Sequence, residues 1–193
     1  MPDSKPQQIT DPKALRALAH PLRWKLIEIL TREGAATATR CADEVGESVA
    51  NCSYHLNTLA KYGFVEPAEG GQGREKPWRV TKRSQSWGDV GLDSEGELAA
   101  QAATTAFLDF ELNLIRERFL TSHVEPEDWR NAVGFNNVNV YLTAAELDQV
   151  RAEMRQLMIR FDDRRDDPGA RPEGARPVNV FLATSVAPRI KPG

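Results

Sequence analysis

The 193-residue chain has no apolar run near the ~18 residues that a membrane span needs. Its first ten residues, MPDSKPQQIT, carry no apolar core. That predicts no signal peptide and a cytoplasmic location. Cysteine is scarce: Cys41 and Cys52 alone exclude a disulfide framework, and thiols stay reduced in that compartment. The three histidines, His20, His55 and His123, have no ligand spacing. There is no nucleophile–base set, no catalytic carboxylate pair and no cofactor fingerprint, so no enzyme and no cofactor are expected. Gly70-Gly71-Gln72-Gly73 leads into a strand pattern, whereas a phosphate loop must open a helix. Asn51-Cys52-Ser53 has the form of a glycosylation sequon but falls mid-helix.

Net positive charge is also lacking. The formal net charge is −3, which argues weakly against a nucleic-acid partner. The distribution argues the other way. Residues 1–90 carry 13 Lys+Arg against 11 Asp+Glu, or +2, and residues 91–193 carry 12 against 17, or −5. Within 57–83 stand Lys61, Arg74, Lys76, Arg79, Lys82 and Arg83 against Glu66, Glu69 and Glu75. Local charge, not the total, sets phosphate attraction.

What is present is punctuated helix. Asp11-Pro12 predicts a helix start, with Asp as N-cap and Pro at the first position. His20-Pro21 opens a second helix, apolar over a wide arc through Leu22, Trp24, Leu26, Ile27, Ile29 and Leu30, and therefore buried. Gly34 ends it. Thr37 or Thr39 caps a third helix with Ala38, Cys41, Ala42 and Val45 inward. Gly46 turns the chain, and Ser48 caps a fourth helix with Cys52, Leu56 and Leu59 inward. Gly63 stops it. Phe64-Val65 begins a strand, 69–76 is a Gly-rich basic loop, and Trp78–Thr81 alternates as a returning strand. Four helices and a hairpin make a winged helix-turn-helix.

The fourth helix then turns outward Ala50, Asn51, Ser53, Tyr54 and Asn57, with Lys61 one turn on. Asn pairs bidentately with adenine, Ser reads either base type, and Tyr meets methyl groups or phosphate. His55, beside Leu56, is placed to bond a phosphate or a neighbouring backbone group. Arg74, Lys76 and Arg79 in the loop and returning strand would reach a minor groove or flanking phosphates.

Residues 12–83 resemble the winged helix-turn-helix of the ArsR family of bacterial transcription regulators. The resemblance is carried by ALAHPLRWKLIEIL at 17–30, SVANCSYHLNTLAKYGFVEP at 48–67 and GREKPWRVT at 73–81, and covers under half of the chain. It implies sequence-specific binding of double-stranded DNA as a homodimer, the fourth helix in the major groove, and repression by default. Twofold symmetry implies a palindromic operator. Many members sense metals through two cysteines near the start of the third helix; Thr37 and Thr39 stand there in this chain. Cys41 and Cys52 fall where the family has apolar core residues, and free Cys packs as a small hydrophobe. A redox role for them is the alternative.

Beyond residue 84 the expected fold is α+β, mainly α. Residues 85–95 read as a linker. A long helix at 96–122 carries two apolar stripes: Ala99, Ala103, Phe107, Phe110 and Leu114, then Leu108, Leu112, Ile115 and Phe119. One stripe suits the domain, and the second suits another copy of the chain. NVNVYL at 137–142 and PVNVFLAT at 177–184 alternate as strands. Between them Thr143 and Glu146 form a capping box that opens a helix with Leu147, Val150, Met154, Leu157, Met158 and Phe161 on one face. Asp162, Asp163, Asp166 and Asp167 read as a solvated loop rather than a metal site. The expected organisation is a flexible arm (1–10), a DNA-binding domain (11–84), and a dimerisation domain (85–193). In that last part Trp87, Phe107, Phe110, Trp129, Phe135 and Tyr141 are core and interface, or line a pocket for a small-molecule effector. The alternative functions are a winged-helix protein-interaction module, and a sensor with an unusual metal or redox switch.

Overall fold

The computed structural model describes residues 7–70, 76–81, 85–88 and 90–187, with the side chains of Gln7, Gln85, Arg165 and Asp166 outside that description. The elements in chain order are β1 (Gln7–Ile9), α1 (Pro12–Leu18), α2 (Pro21–Glu33), α3 (Ala38–Val45), α4 (Val49–Lys61), β2 (Val65–Pro67), β3 (Trp78–Val80), β4 (Gln85–Trp87), α5 (Ser94–Leu120), α6 (Glu127–Ala132), α7 (Ala144–Ile159) and α8 (Asp163–Asp166). No helix among the described residues is long and apolar enough to cross a membrane.

The helix starts follow their caps. Asp11 accepts from Lys13 N, Thr37 from Arg40 N, Ser48 from Asn51 N and Asp93 from Gly96 N. His20 caps α2 through Nδ1, which accepts from Leu22 N at 3.3 Å. Each cap satisfies one of the amides that a helix start leaves unpaired. Gly46 ends α3 at φ 72° in the left-handed region, where a Cβ is strained. It lets α4 depart from α3 within a tight turn.

One core holds the head. Leu18, Leu26, Ile29 and Leu30 meet Cys41, Ala42, Cys52, Leu56, Leu59, Phe64 and Val65, and Ala103 and Ala106 of α5 close it. Leu15 packs with Ala99 and Ala100 on a neighbouring patch. Strands β2 and β3 pair antiparallel, Val65 opposite Val80, and Ala36 bridges to Trp78. This is the expected wing; the wing tip at 71–75, with Arg74, lies outside the described residues.

Three expectations change. The N-terminal arm is structured from Gln7: β1 pairs parallel with β4, Ile9 opposite Trp87. The expected linker therefore begins as a strand, and Ile9 and Trp87 both pack on the core. QQI and QSW are too short to show alternation, and a parallel pair of such sequence separation has no local signature. Second, the helix at 144–159 forms with its capping box complete, but neither 137–142 nor 177–184 joins a sheet among the described residues. Alternation marks a chain able to pair, and a strand needs a partner to form. Third, a short helix, α8, occupies part of the stretch around Asp162–Asp167 read as a solvated loop.

Candidate nucleic-acid interface

Helix α4 divides as its spacing demands. Cys52, Leu56 and Leu59 are wholly buried. Ala50, Tyr54, Asn57 and Lys61 are exposed, and Asn51 and Ser53 half-exposed. Tyr54 stands well out, at 64% exposure. The exposed amides are held in place. Asn51 Nδ2 donates to Glu47 Oε2 at 2.9 Å, and Asn57 Nδ2 donates to the Ser53 carbonyl at 2.8 Å. Thr58 Oγ1 donates to the Tyr54 carbonyl at 2.9 Å. The helix therefore presents a polar ridge whose hydrogen-bonding groups already satisfy one another.

His55 turns inward. It is 5% exposed and takes a hydrogen bond on Nδ1 from Arg23 Nε at 3.1 Å. Its ring centroid lies 4.3 Å from that of His20 and 5.2 Å from that of Tyr54. It braces α4 against α2. Helical spacing explains this, since position 55 lies between Cys52 and Leu56 on the inner side. Burial, the His20 ring and the Arg23 charge hold its imidazole below the ordinary value. The neutral tautomer with a bare Nδ1 is the one Arg23 needs.

Sequence reasoning passed over Arg23. It is 8% exposed, and its Nη1 donates to the Ala17 carbonyl at 2.6 Å. One guanidinium thereby ties the end of α1, the start of α2 and the middle of α4. Burial lowers its affinity for the proton, yet a guanidinium stays charged. The available signal was a charged residue spaced three, four and seven positions before Leu26, Ile27 and Leu30, on the apolar face of the helix.

In the wing, Lys76 is exposed. Arg79 is exposed but engaged: its Nη2 lies 2.8 Å from Glu66 Oε1 across the β2–β3 pair. Glu47 at the mouth of α4 and Glu66 in the wing offset part of the positive charge of this face. A second charged cluster lies on the far side, where Arg32 and Arg40 bridge Glu28, Glu33 and Glu44. The Arg32 and Arg40 partners hold the Glu44 carboxyl below its ordinary value.

Neither cysteine is placed for chemistry at this face. Both are fully buried. Burial, with the nearby Cys52, pushes the Cys41 thiol up to about 11, and burial raises Cys52 as well. The oxygen of Thr37 is spent on capping α3. Among the described residues no group of three His, Cys, Asp or Glu side chains is arranged to hold a metal ion. The aromatics expected around an effector are divided. Trp87 and Phe107 stack with Trp24 inside the head, Phe135 sits on Phe119, and Tyr141 is wholly exposed. A groove of about 480 Å³ runs along Gly88, Ala100, Gln101, Thr104 and Thr105, and Trp87 Nε1 donates to Thr104 Oγ1 at 3.0 Å beside it.

A family profile described as "Helix-turn-helix domain" matches residues 18–68, the span from the end of α1 to just past β2. The chain is 37% identical over 81 residues to the LexA repressor of Deinococcus radiodurans, a match covering 42% of this chain and 37% of that protein. It thus spans little more than a third of that relative's length. Among solved structures, it aligns with S. aureus MepR bound to ethidium bromide at 14% identity and a TM-score of 0.27, covering 75% of this chain and 76% of that one. A point mutant of S. aureus MepR bound to oligodeoxyribonucleotide aligns at 15% identity and a TM-score of 0.28, covering 75% of this chain and 78% of that one. Both superpositions are too loose to transfer any feature.

The chain carries a helix-turn-helix domain, and the β2–β3 hairpin that follows makes it winged. It is mainly helical, with few and short strands.

Proposed function

We propose that the protein is a sequence-specific DNA-binding transcription regulator, a repressor of the ArsR type, acting as a homodimer on a palindromic operator. The observation that carries this is α4: a capped helix at the second position of a helix-turn-helix, fixed from behind by Arg23 and His55, with Ala50, Asn51, Ser53, Tyr54 and Asn57 on its outward ridge. Such a ridge fits a major groove. Lys61 at its far end and Lys76 in the wing supply phosphate contacts. On binding, Asn51 exchanges Glu47 for a base edge, and Arg79 exchanges Glu66 for phosphate.

A gel shift on the DNA upstream of the protein's own gene, against random duplex of equal length, tests the reading. A specific complex that survives added salt better than the random one is expected. Equal binding to both, or none, would sink it. The second reading, a winged-helix module for a protein partner, draws on Glu47 and Glu66, which neutralise part of the face. It predicts no shift on any duplex.

Control is assigned to the C-terminal half. A small-molecule effector acts there only by preferring one arrangement of the two heads. A metabolite panel that moves neither melting temperature nor operator affinity would remove the effector from the account.

A further inference from the structure

Every buried hydrophobic side chain among the described residues lies between Ala14 and Ala106. After Ala106 no described residue is buried at all. Yet this stretch is not polar. Leu108, Leu112 and Phe119 on α5, Leu157, Met158 and Phe161 at the end of α7, and the valines of both alternating segments stand in solvent. Helix α7 makes no more than glancing contact with any other element. Monomeric soluble proteins seldom leave so much contiguous apolar surface bare.

The two alternating segments show what covers it. Val138-Asn139-Val140-Tyr141-Leu142 and Val178-Asn179-Val180-Phe181-Leu182 are near copies of each other. The second lies along its own α5: Asn179 Nδ2 donates to Glu111 at 2.8 Å, the Phe181 ring sits 6.1 Å from that of Phe107, and Arg176 holds Glu125 at 2.6 Å. The side chains on that face are Asn179 and Phe181. The opposite face carries Val178, Val180 and Leu182, at 62%, 52% and 52% exposure. Period two has therefore turned an all-aliphatic ridge away from the chain's own helix. Val138 and Val140, at 68% and 63%, form a matching ridge.

Resting on the homodimer reading above, we infer that a second copy of this chain covers this surface by strand exchange. Residues 138–142 of one copy pair with residues 178–182 of its partner, twice about one twofold axis. The paired strands close over α7 and the Leu108–Leu112–Phe119 stripe. A twofold interface requires that each patch meet the other's counterpart reciprocally, and two near-identical alternating segments per chain meet that requirement. A stable interface takes ~20–30 residues a side, and the bare apolar side chains from Leu108 to Val186, with their polar neighbours, reach that scale.

The full chain is made as Val140→Cys, as Val180→Cys and as the double variant, and oxidised with diamide. Cys41 and Cys52 are fully buried and do not compete. Mixing the two single variants should give a covalent dimer on a non-reducing gel, and either alone should give little. The double variant should run as a covalent dimer. A double variant that closes within one chain overturns the proposal, as does a wild-type mass of one chain by light scattering. Val140→Asp should convert two chains to one while the melting of the head stays unchanged, since no core residue is touched. A wild-type chain that is monomeric yet shifts its operator specifically overturns the strand exchange and leaves DNA reading intact. A cross-linked dimer that shifts no DNA does the reverse.

Discussion

At the scale of single residues the head is governed by who holds the polar groups of α4. Asn51 is held by Glu47, so the amide is oriented before any duplex arrives. Asn51→Ala should weaken operator binding by ~1–3 kcal/mol, the worth of a bidentate base contact, and leave random duplex unchanged in parallel titrations. His55 faces Arg23, His20, Tyr54 and, electrostatically, Glu47. Its folded-state affinity for a proton lies below that of a free imidazole at 6.5. The unfolded chain therefore binds more protons below that value, and stability falls as pH drops through it. Above it the stabilisation is complete. The melting temperature of the wild type should fall as pH is taken from neutral down through 6.5. His55→Gln, which keeps an acceptor for Arg23, should lose that slope. The carboxyls held low by partners, Glu44, Glu125 and Glu146, titrate in a more acidic window and do not confuse the result.

At the scale of elements, caps decided where the helices begin. Ser48→Ala removes the acceptor for Asn51 N and should cost about 1 kcal/mol of head stability in urea titration. Leu56→Ala, at a wholly buried position, should cost ~2–5 kcal/mol by the same measurement. Their contrast separates a frayed helix start from a hollowed core. The same local chemistry explains what could be read from sequence. Asp11-Pro12, His20-Pro21, Gly34, Gly46 and Ser48 each carry a backbone preference strong enough to mark a boundary without neighbours. The inward set of α4 and the two stripes of α5 follow from helical period alone. β1 and β4 escaped because three residues hold no period and their pairing joins distant parts of the chain. His55 was left between two roles because its spacing places it inward but cannot name the Arg23 guanidinium that meets it there. The segments at 138–142 and 178–182 carried a correct alternation, but a ladder depends on a partner that period cannot name.

At the scale of the whole molecule, two halves are stabilised by different things. The head, with the first half of α5, owns a closed core from Ala14 to Ala106. The remainder owns ion pairs, caps and uncovered apolar ridges. Helices in proteins draw most of their stability from packing an amphipathic face, and α7 makes only glancing contact within its own chain, so it must draw its stability from elsewhere. If a partner supplies it, that stability depends on chain concentration, while the stability of the head does not. Amide exchange followed at two protein concentrations, one above and one below the dimer dissociation constant, distinguishes these. Amides of Leu26–Leu30 and Leu56–Leu59 should exchange at the same slow rate in both samples. Amides of Val150–Leu157 should be protected only in the concentrated one. Equal protection of α7 in both samples would mean that a single chain stabilises it, and the bare ridges at Val140 and Val180 would then need another explanation. Protection lost from head and α7 together on dilution would mean that the core between Ala14 and Ala106 is not self-sufficient, against its burial.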